Sequence, residues 1–157
     1  MAGTVIAVGA KAPDFTLKDQ YEKEASPSEY AGKKVVLSFH PLAWTSLCTQ
    51  QMQDLEKHRA DLAARGAVAL GLSVDSVPCK TAWAKAIGVS ETRILADFWP
   101  QGGVAASLGV FRERNGFSER AVIIVDAGGK VAWTKIHPIP ELPDMEEILA
   151  ALESVRS

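Results

Sequence analysis

KKVVLSFHPLAWTSLCTQQMQDLE, residues 33–56, changes periodicity partway along. Its first part, Lys33–His40, is a continuous apolar run with β-branched valines, as expected of a strand buried on both faces. Beyond Pro41 the spacing becomes helical. Cys48, Met52, Leu55 and Leu62 stand at i, i+4, i+7 and i+14, one face of a helix. The pattern predicts a helix from Ser46 to Arg65, stopped by Gly66. A buried strand that feeds a helix through a short loop is the building unit of an α/β sheet.

The flanking sequence extends that unit. APDFTLKDQ (12–20) alternates enough for a short strand, and AVALGLSVD (67–75) is a second buried strand. Ser76 offers an N-cap and Pro78 is tolerated in the first turn of a helix running to Gly88. RILADF (93–98) and RAVIIVD (120–126) are further strands, with a short helix near 102–108 between them. AGGK (127–130) makes a hairpin turn into VAWTKIHP (131–138). PDMEEILAALESV (143–155) carries an Asp cap and apolar residues at Met145, Ile148, Leu149 and Leu152, so a closing helix is expected on the sheet. Alternating strands and helices imply a parallel core, and the hairpin adds antiparallel pairing at one edge. The expected architecture is α/β, a mixed central sheet with helices on both faces.

The 157 residues suit one domain, 1–157, with enough chain to bury a substantial core. Apolar residues at 47% and charged residues at 23% are an ordinary globular balance. A formal charge of −2 gives no basic surface for nucleic acid. MAGTVIAVGAK at the start lacks a basic leader, and no stretch approaches the roughly 18 apolar residues of a membrane span. A cytoplasmic protein with small-molecule or protein partners is expected. His40, His58 and His137 show no ligand spacing with the cysteines, so no metal is expected. AGGK sits in a hairpin, not ahead of a helix, so no phosphate loop and no cofactor are implied.

Only two cysteines occur, Cys48 and Cys79. A packing role for Cys48 fits its apolar stripe, because free cysteine is among the most buried residue types. Its place in the first turn of a helix argues for chemistry. Unpaired backbone N–H groups and the positive end of the helix dipole favour thiolate over thiol there. Thr45, three residues earlier, can cap the helix or donate to a substrate oxygen. Pro41 can end the strand or shield the sulfur from bulk water.

Pro41, Thr45 and Cys48 in PLAWTSLC resemble the Pro-x-x-x-Thr-x-x-Cys signature of the peroxiredoxins, the alkyl hydroperoxide reductase/thiol-specific antioxidant family. GAKAPDFTLKD, GKKVVLSFHP, GLSVDS, ILADFWPQGGVAASLGV and RAVIIVDAGGKV resemble its successive segments, so the likeness spans nearly the whole chain. It is nearest the one-cysteine-like or bacterioferritin comigratory type. The resemblance implies a thioredoxin-like fold and reduction of hydrogen peroxide and organic hydroperoxides through a cysteine thiolate and a sulfenic acid. It assigns Cys48 as peroxidatic nucleophile, Thr45 and Arg120 as donors to the peroxide oxygens, and Pro41 as a shield. Arg112 and Arg114 are weaker candidates than Arg120. Many relatives carry Glu where this chain has Gln51, a neutral amide that cannot anchor an arginine by charge. The reductant implied is a thioredoxin-like protein or a low-molecular-weight thiol, and relatives often form homodimers.

A sulfenic acid condenses with a second thiol or is reduced from outside. No cysteine stands near Ser157, so Cys79 is the remaining intrachain candidate, a few residues short of where some relatives keep a resolving cysteine. The alternative is a one-cysteine enzyme served by an external thiol. Two other functions are compatible with a reactive Cys48. A thiol–disulfide oxidoreductase usually wants Cys-x-x-Cys, and position 45 is Thr. A redox sensor would use Cys48 oxidation as a switch. Trp44 can wall the peroxide pocket or face a partner. Trp99 can pack in a loop by the active-site mouth, meet a second subunit or fill the core.

Overall fold

The computed structural model describes residues 4–155. The first three residues of the N-terminal stretch, and Ser157, lie outside that range.

In chain order the elements are β1 (Leu17–Lys18), β2 (Glu24–Ala25), a 3-10 turn (Pro27–Tyr30), β3 (Lys34–Phe39), α1 (Ser46–Lys57) and α2 (Arg59–Ala64). There follow β4 (Ala67–Ser73), α3 (Val77–Ile87), β5 (Arg93–Ala96), α4 (Gly103–Ser107), β6 (Phe111–Arg112), β7 (Phe117–Ser118), β8 (Arg120–Val125), β9 (Val131–His137) and α5 (Met145–Ser154). The central sheet has the order β5-β4-β3-β8-β9. β3, β4 and β5 run parallel, while β8 is antiparallel to both β3 and β9. The expected mixed sheet is therefore present, with the hairpin at one edge.

Two core layers follow from the two-residue alternation of the strands. One face presents Val36, Ala69, Ile94, Val122 and Ile124 to Met52, Leu55, Leu62, Trp83, Ile148 and Leu152 of α1, α2, α3 and α5. The other presents Leu37, Leu70, Leu72, Leu95 and Ile123 to Val104 and Ala105 of α4 and to Ile6, Phe15 and Leu17 of the N-terminal segment. Gly71 lets α1 settle close to β4, because a Cβ there would run into the Met52 sulfur.

Three expectations need correction. The strand expected over 12–20 is only Leu17–Lys18, paired with Glu24–Ala25. The helix expected over Ser46–Arg65 breaks at His58, whose φ of −97° and ψ of 17° separate α1 from α2. The His58 ring Nδ1 lies 2.9 Å from the Asp54 carbonyl oxygen, which also accepts from the His58 backbone N–H. A side chain that competes for a helix carbonyl is a local breaking signal. Trp99 fills no core, being 82% exposed. The 3-10 turn and the small β6–β7 hairpin were not expected.

Candidate active site

The sheet face beneath α1 and α3 turns polar at one end. Ser38 and His40 continue the parity of Val36 on the chain of β3, Ser73 continues that of Ala69 on β4, and Arg120 precedes Val122 on β8. All four are buried. A buried polar group without a hydrogen bond costs about 1–3 kcal/mol by mutation, so four at one sheet end call for an account of their partners.

Cys48 sits over this end in the first turn of α1, with 0% of its surface exposed. Arg120 Nη1 lies 3.5 Å from its sulfur and donates at 2.8 Å to Gln51 Oε1. Arg120 Nε donates to the Ile139 carbonyl at 2.8 Å. Gln51 Nε2 in turn donates to Ser38 Oγ at 2.8 Å and to the Phe39 carbonyl at 3.0 Å. Arginine can only donate and a carbonyl can only accept, so these partners fix which way the amide points. Gln51, at the place where many relatives have a carboxylate, thus supports Arg120 by geometry without neutralising it.

Thr45 is the N-cap residue of α1 but makes no side-chain capping bond. Its hydroxyl is exposed and donates to the Leu42 carbonyl at 2.8 Å, leaving oxygen lone pairs outside the helix. Of the two roles expected of Thr45, conventional capping is therefore not the one adopted. Pro41 is buried between the end of β3 and this turn. Trp44, at φ 73° and 56% exposed, occupies a left-handed conformation uncommon for a bulky residue.

Cys79 belongs to a neighbouring cluster. Its backbone N–H is capped by Ser76 Oγ at 3.3 Å at the start of α3. Its thiol lies 3.9 Å from Asp75 Oδ1. Burial and then the Asp75 carboxylate push the Cys79 thiol up, against the opposing pull of Trp44 and Lys80. Asp75 Oδ2 accepts from Ser73 Oγ at 2.5 Å and from the Ala43 backbone N–H at 2.8 Å. The turn before α3 is thereby tied to the loop that carries Thr45. Both cysteines are free thiols.

Sequence reasoning missed the group behind this cluster. Lys80 is completely buried, bonded to Ser73 Oγ and 3.1 Å from His40 Nε2, with its ammonium 5.6 Å from the Trp83 ring centre. The Trp83 indole N–H donates to Thr49 Oγ1 at 3.2 Å, next to Cys48. Burial pulls Lys80 down to about 7, although Asp75, Cys79, Cys48 and Asp97 all act to hold its proton. Burial, then Lys80, then Arg120 keep His40 well below the usual imidazole range. A neutral His40 accepts from Lys80 through Nε2. The available signal was parity: Ser38, His40 and Ser73 interrupt otherwise apolar strand faces.

Arg112 is engaged elsewhere, pairing with Glu119 at 3.0 Å and Asn115 at 2.9 Å, and Arg114 is exposed. Among the described residues no helix is long and apolar enough to cross a membrane.

The model of the AhpC/TSA family matches residues 8–134. Alkyl hydroperoxide reductase E of Mycobacterium bovis is 36% identical over 152 residues, covering 94% of this chain and 99% of that protein. Peroxiredoxin-2 of Mus musculus is 30% identical, covering 98% and 81%. In three dimensions the reduced 2-Cys peroxiredoxin of Plasmodium vivax superposes with a TM-score of 0.85 at 26% identity, over 95% of this chain and 81% of that one. Mycobacterium tuberculosis AhpC shares the fold with a TM-score of 0.87 at 19% identity, over 96% and 93%. Sequence, fold and the enclosed thiol agree: the chain belongs to the AhpC/TSA family of peroxiredoxins, thioredoxin-like thiol-dependent peroxidases.

Proposed function

We propose that Cys48 is the peroxidatic nucleophile of this peroxidase. The observation that carries the reading is the Arg120 guanidinium 3.5 Å from the Cys48 sulfur at a helix N-terminus. Attack by the thiolate on one peroxide oxygen breaks the O–O bond and leaves negative charge on the departing oxygen. Fixed donors placed where that charge develops lower the barrier. Arg120 and the free N–H groups of the first turn near Leu47 and Cys48 supply them, and the Thr45 hydroxyl joins them by turning its proton from the Leu42 carbonyl to the substrate. Pro41 has no N–H and helps to keep the sulfur dry. The exposed Leu42 and Trp44 beside this turn give organic hydroperoxides an apolar contact, so both they and hydrogen peroxide are expected substrates.

The product on Cys48 is a sulfenic acid. Two routes resolve it: Cys79, on the turn that Asp75 ties to the loop carrying Thr45, or an external thioredoxin-like protein or small thiol, which is also the final reductant. Phe98 and Trp99, both exposed, support a homodimer, and a cytoplasmic setting suits two reduced thiols.

Cys48→Ser should abolish thiol-dependent peroxide consumption, and full activity in that variant would sink the assignment. After one equivalent of peroxide, mass spectrometry should find an intrachain disulfide in the parent and a persistent sulfenate in Cys79→Ser. A persistent sulfenate in both would assign resolution to the external thiol.

A further inference from the structure

Cys48 is completely enclosed, yet every route that reduces its sulfenic acid brings a second sulfur into contact with it. The loop Pro41–Thr45 leads into the turn that holds Cys48, and Ala43 is buried in the same core cluster. This loop is fastened firmly at its two ends. His40 donates its N–H to the Leu72 carbonyl at 3.0 Å and accepts from Ser118 Oγ on its own carbonyl at 3.1 Å, while the Thr45 carbonyl accepts from the Thr49 N–H at 2.9 Å. Between those ends, among the described residues, the single backbone N–H that donates to another part of the chain is that of Ala43, to Asp75 Oδ2 at 2.8 Å. The next residue is Trp44 at φ 73°, a conformation that a bulky side chain keeps only where its surroundings impose it. The bond from Thr45 Oγ1 to the Leu42 carbonyl braces the turn from inside, and Asp75 braces it from outside.

We propose that Asp75 is a positioning residue that latches this loop: by holding the Ala43 N–H it keeps the sulfur of Cys48 enclosed and the Thr45 turn in place for peroxide, and a thiol waits for the latch to open. The proposal rests on Cys48 being the reacting sulfur. Hydrogen peroxide, two oxygens long, needs less clearance than any thiol carried on a side chain or a larger molecule, so the same closed loop serves the first step and delays the second.

Two further observations support the latch. First, Asp75 is anchored to a part of the protein that does not belong to the loop. Ser73 Oγ, at the end of β4, donates to Asp75 Oδ2 at 2.5 Å and itself accepts from the ammonium of the completely buried Lys80. Second, the left-handed backbone of Trp44 lies directly beside the latched N–H, so once that bond is lost the loop gains by relaxing away from the closed form. The other carboxylate oxygen, Oδ1, faces the Cys79 thiol at 3.9 Å, so one side chain links the loop to the turn that carries the second sulfur.

The test measures access to Cys48 and opening of the loop together. Reduced protein is labelled with N-ethylmaleimide, the Cys48 and Cys79 peptides being separated by mass spectrometry, and exchange of the Ala43 amide is followed by nuclear magnetic resonance. In Asp75→Ala, labelling of Cys48 should quicken about 10-fold, the factor expected for loss of one hydrogen bond to a charged group, and Ala43 exchange should quicken by the same factor because one opening serves both. The rate of Cys48 oxidation by hydrogen peroxide in stopped flow should hold or fall. Asp75→Asn removes the charge but keeps a carbonyl oxygen that can accept from both Ala43 and Ser73, so it should label Cys48 close to the wild-type rate. Wild-type labelling in Asp75→Ala overturns the proposal, as does Asp75→Asn matching Asp75→Ala, which would make charge the cause. A peroxide rate that rises in step with labelling also overturns it, since the sulfur would then be more reactive rather than less covered. In the wild type alone, the Ala43 amide should be better protected from exchange than that of Trp44, and equal protection counts against the latch without any variant having to fold. The labelling and exchange results do not depend on which sulfur meets peroxide; loss of peroxide consumption in Cys48→Ser tests that reading separately.

Discussion

Gln51 shows how one side chain can set a geometry without setting a charge. Its amide spans Arg120 on one side and Ser38 with the Phe39 carbonyl on the other, so it joins α1 to the ends of β3 and β8. Gln51→Met keeps the bulk but strips both ends of partners. Each buried group left unsatisfied costs about 1–3 kcal/mol. We expect the peroxide rate constant in stopped flow to fall about 10- to 100-fold, which is about 1.4–2.7 kcal/mol on the barrier. Gln51→Glu retains an acceptor for Arg120 but loses the donor to Phe39, so its rate should fall between the two. Wild-type rates in Gln51→Met would show that Arg120 holds its place without the amide.

At the scale of elements, α1 is secured at both ends by different chemistry. Its first turn meets Arg120, and its last carries Glu56, whose carboxylate accepts from the backbone N–H groups of Ser90, Glu91 and Thr92 between α3 and β5. Burial pushes the Glu56 carboxyl up, but donors from Ser90, Thr92 and Glu91 outweigh it and hold the group down at about 2. The unfolded chain protonates this group near 4.5, so its contribution is complete above that pH and is lost as pH falls toward 2. Urea midpoints should therefore decline over that window, and less steeply in Glu56→Gln. Equal slopes for the two proteins would refute the clamp.

The elements also show what the chain disclosed by pattern. β3, β4, β5, β8 and β9 were readable because strands of the central sheet are long apolar runs, and the first turn of α1 because its stripe begins at Cys48. Local signals of two residues, such as β6 and β7, carry no period to detect. The break at His58 comes from a ring nitrogen choosing a backbone carbonyl, which helical spacing does not encode.

Across the whole molecule, Lys80 makes the fold less stable where it is charged. Its proton leaves at about 7 in the folded protein but near 10.5 in the unfolded chain. Between those values the unfolded state binds more protons, so stability rises with pH over that interval and the full cost applies below it. Urea midpoints of the reduced protein should increase from pH 7 upward, while Lys80→Met should show a flatter profile. A profile unchanged by the substitution would mean that Lys80 is not the titrating group.

Lys80 also marks the limit of reading the chain alone. In CKTAWAKAIG it is an ordinary helical lysine, and only the meeting of α3 with the ends of β3 and β4 encloses it. Pro41, Thr45 and Cys48 stood out as candidates because their types and spacing match a family signature, and Arg120 because it opens a segment that resembles the family's. His40, Ser73 and Asp75 were not, because their contacts with one another depend on the folded arrangement.

Trp83 carries a further consequence. Fully enclosed, it has an ammonium 5.6 Å from its ring, an imidazole at 5.2 Å, and an indole N–H bonded one residue from Cys48. Indole emission responds to nearby charge, so any redistribution of protons among these groups is written into the intrinsic fluorescence of the protein. Trp83 is thus an internal reporter of charge one residue from Cys48.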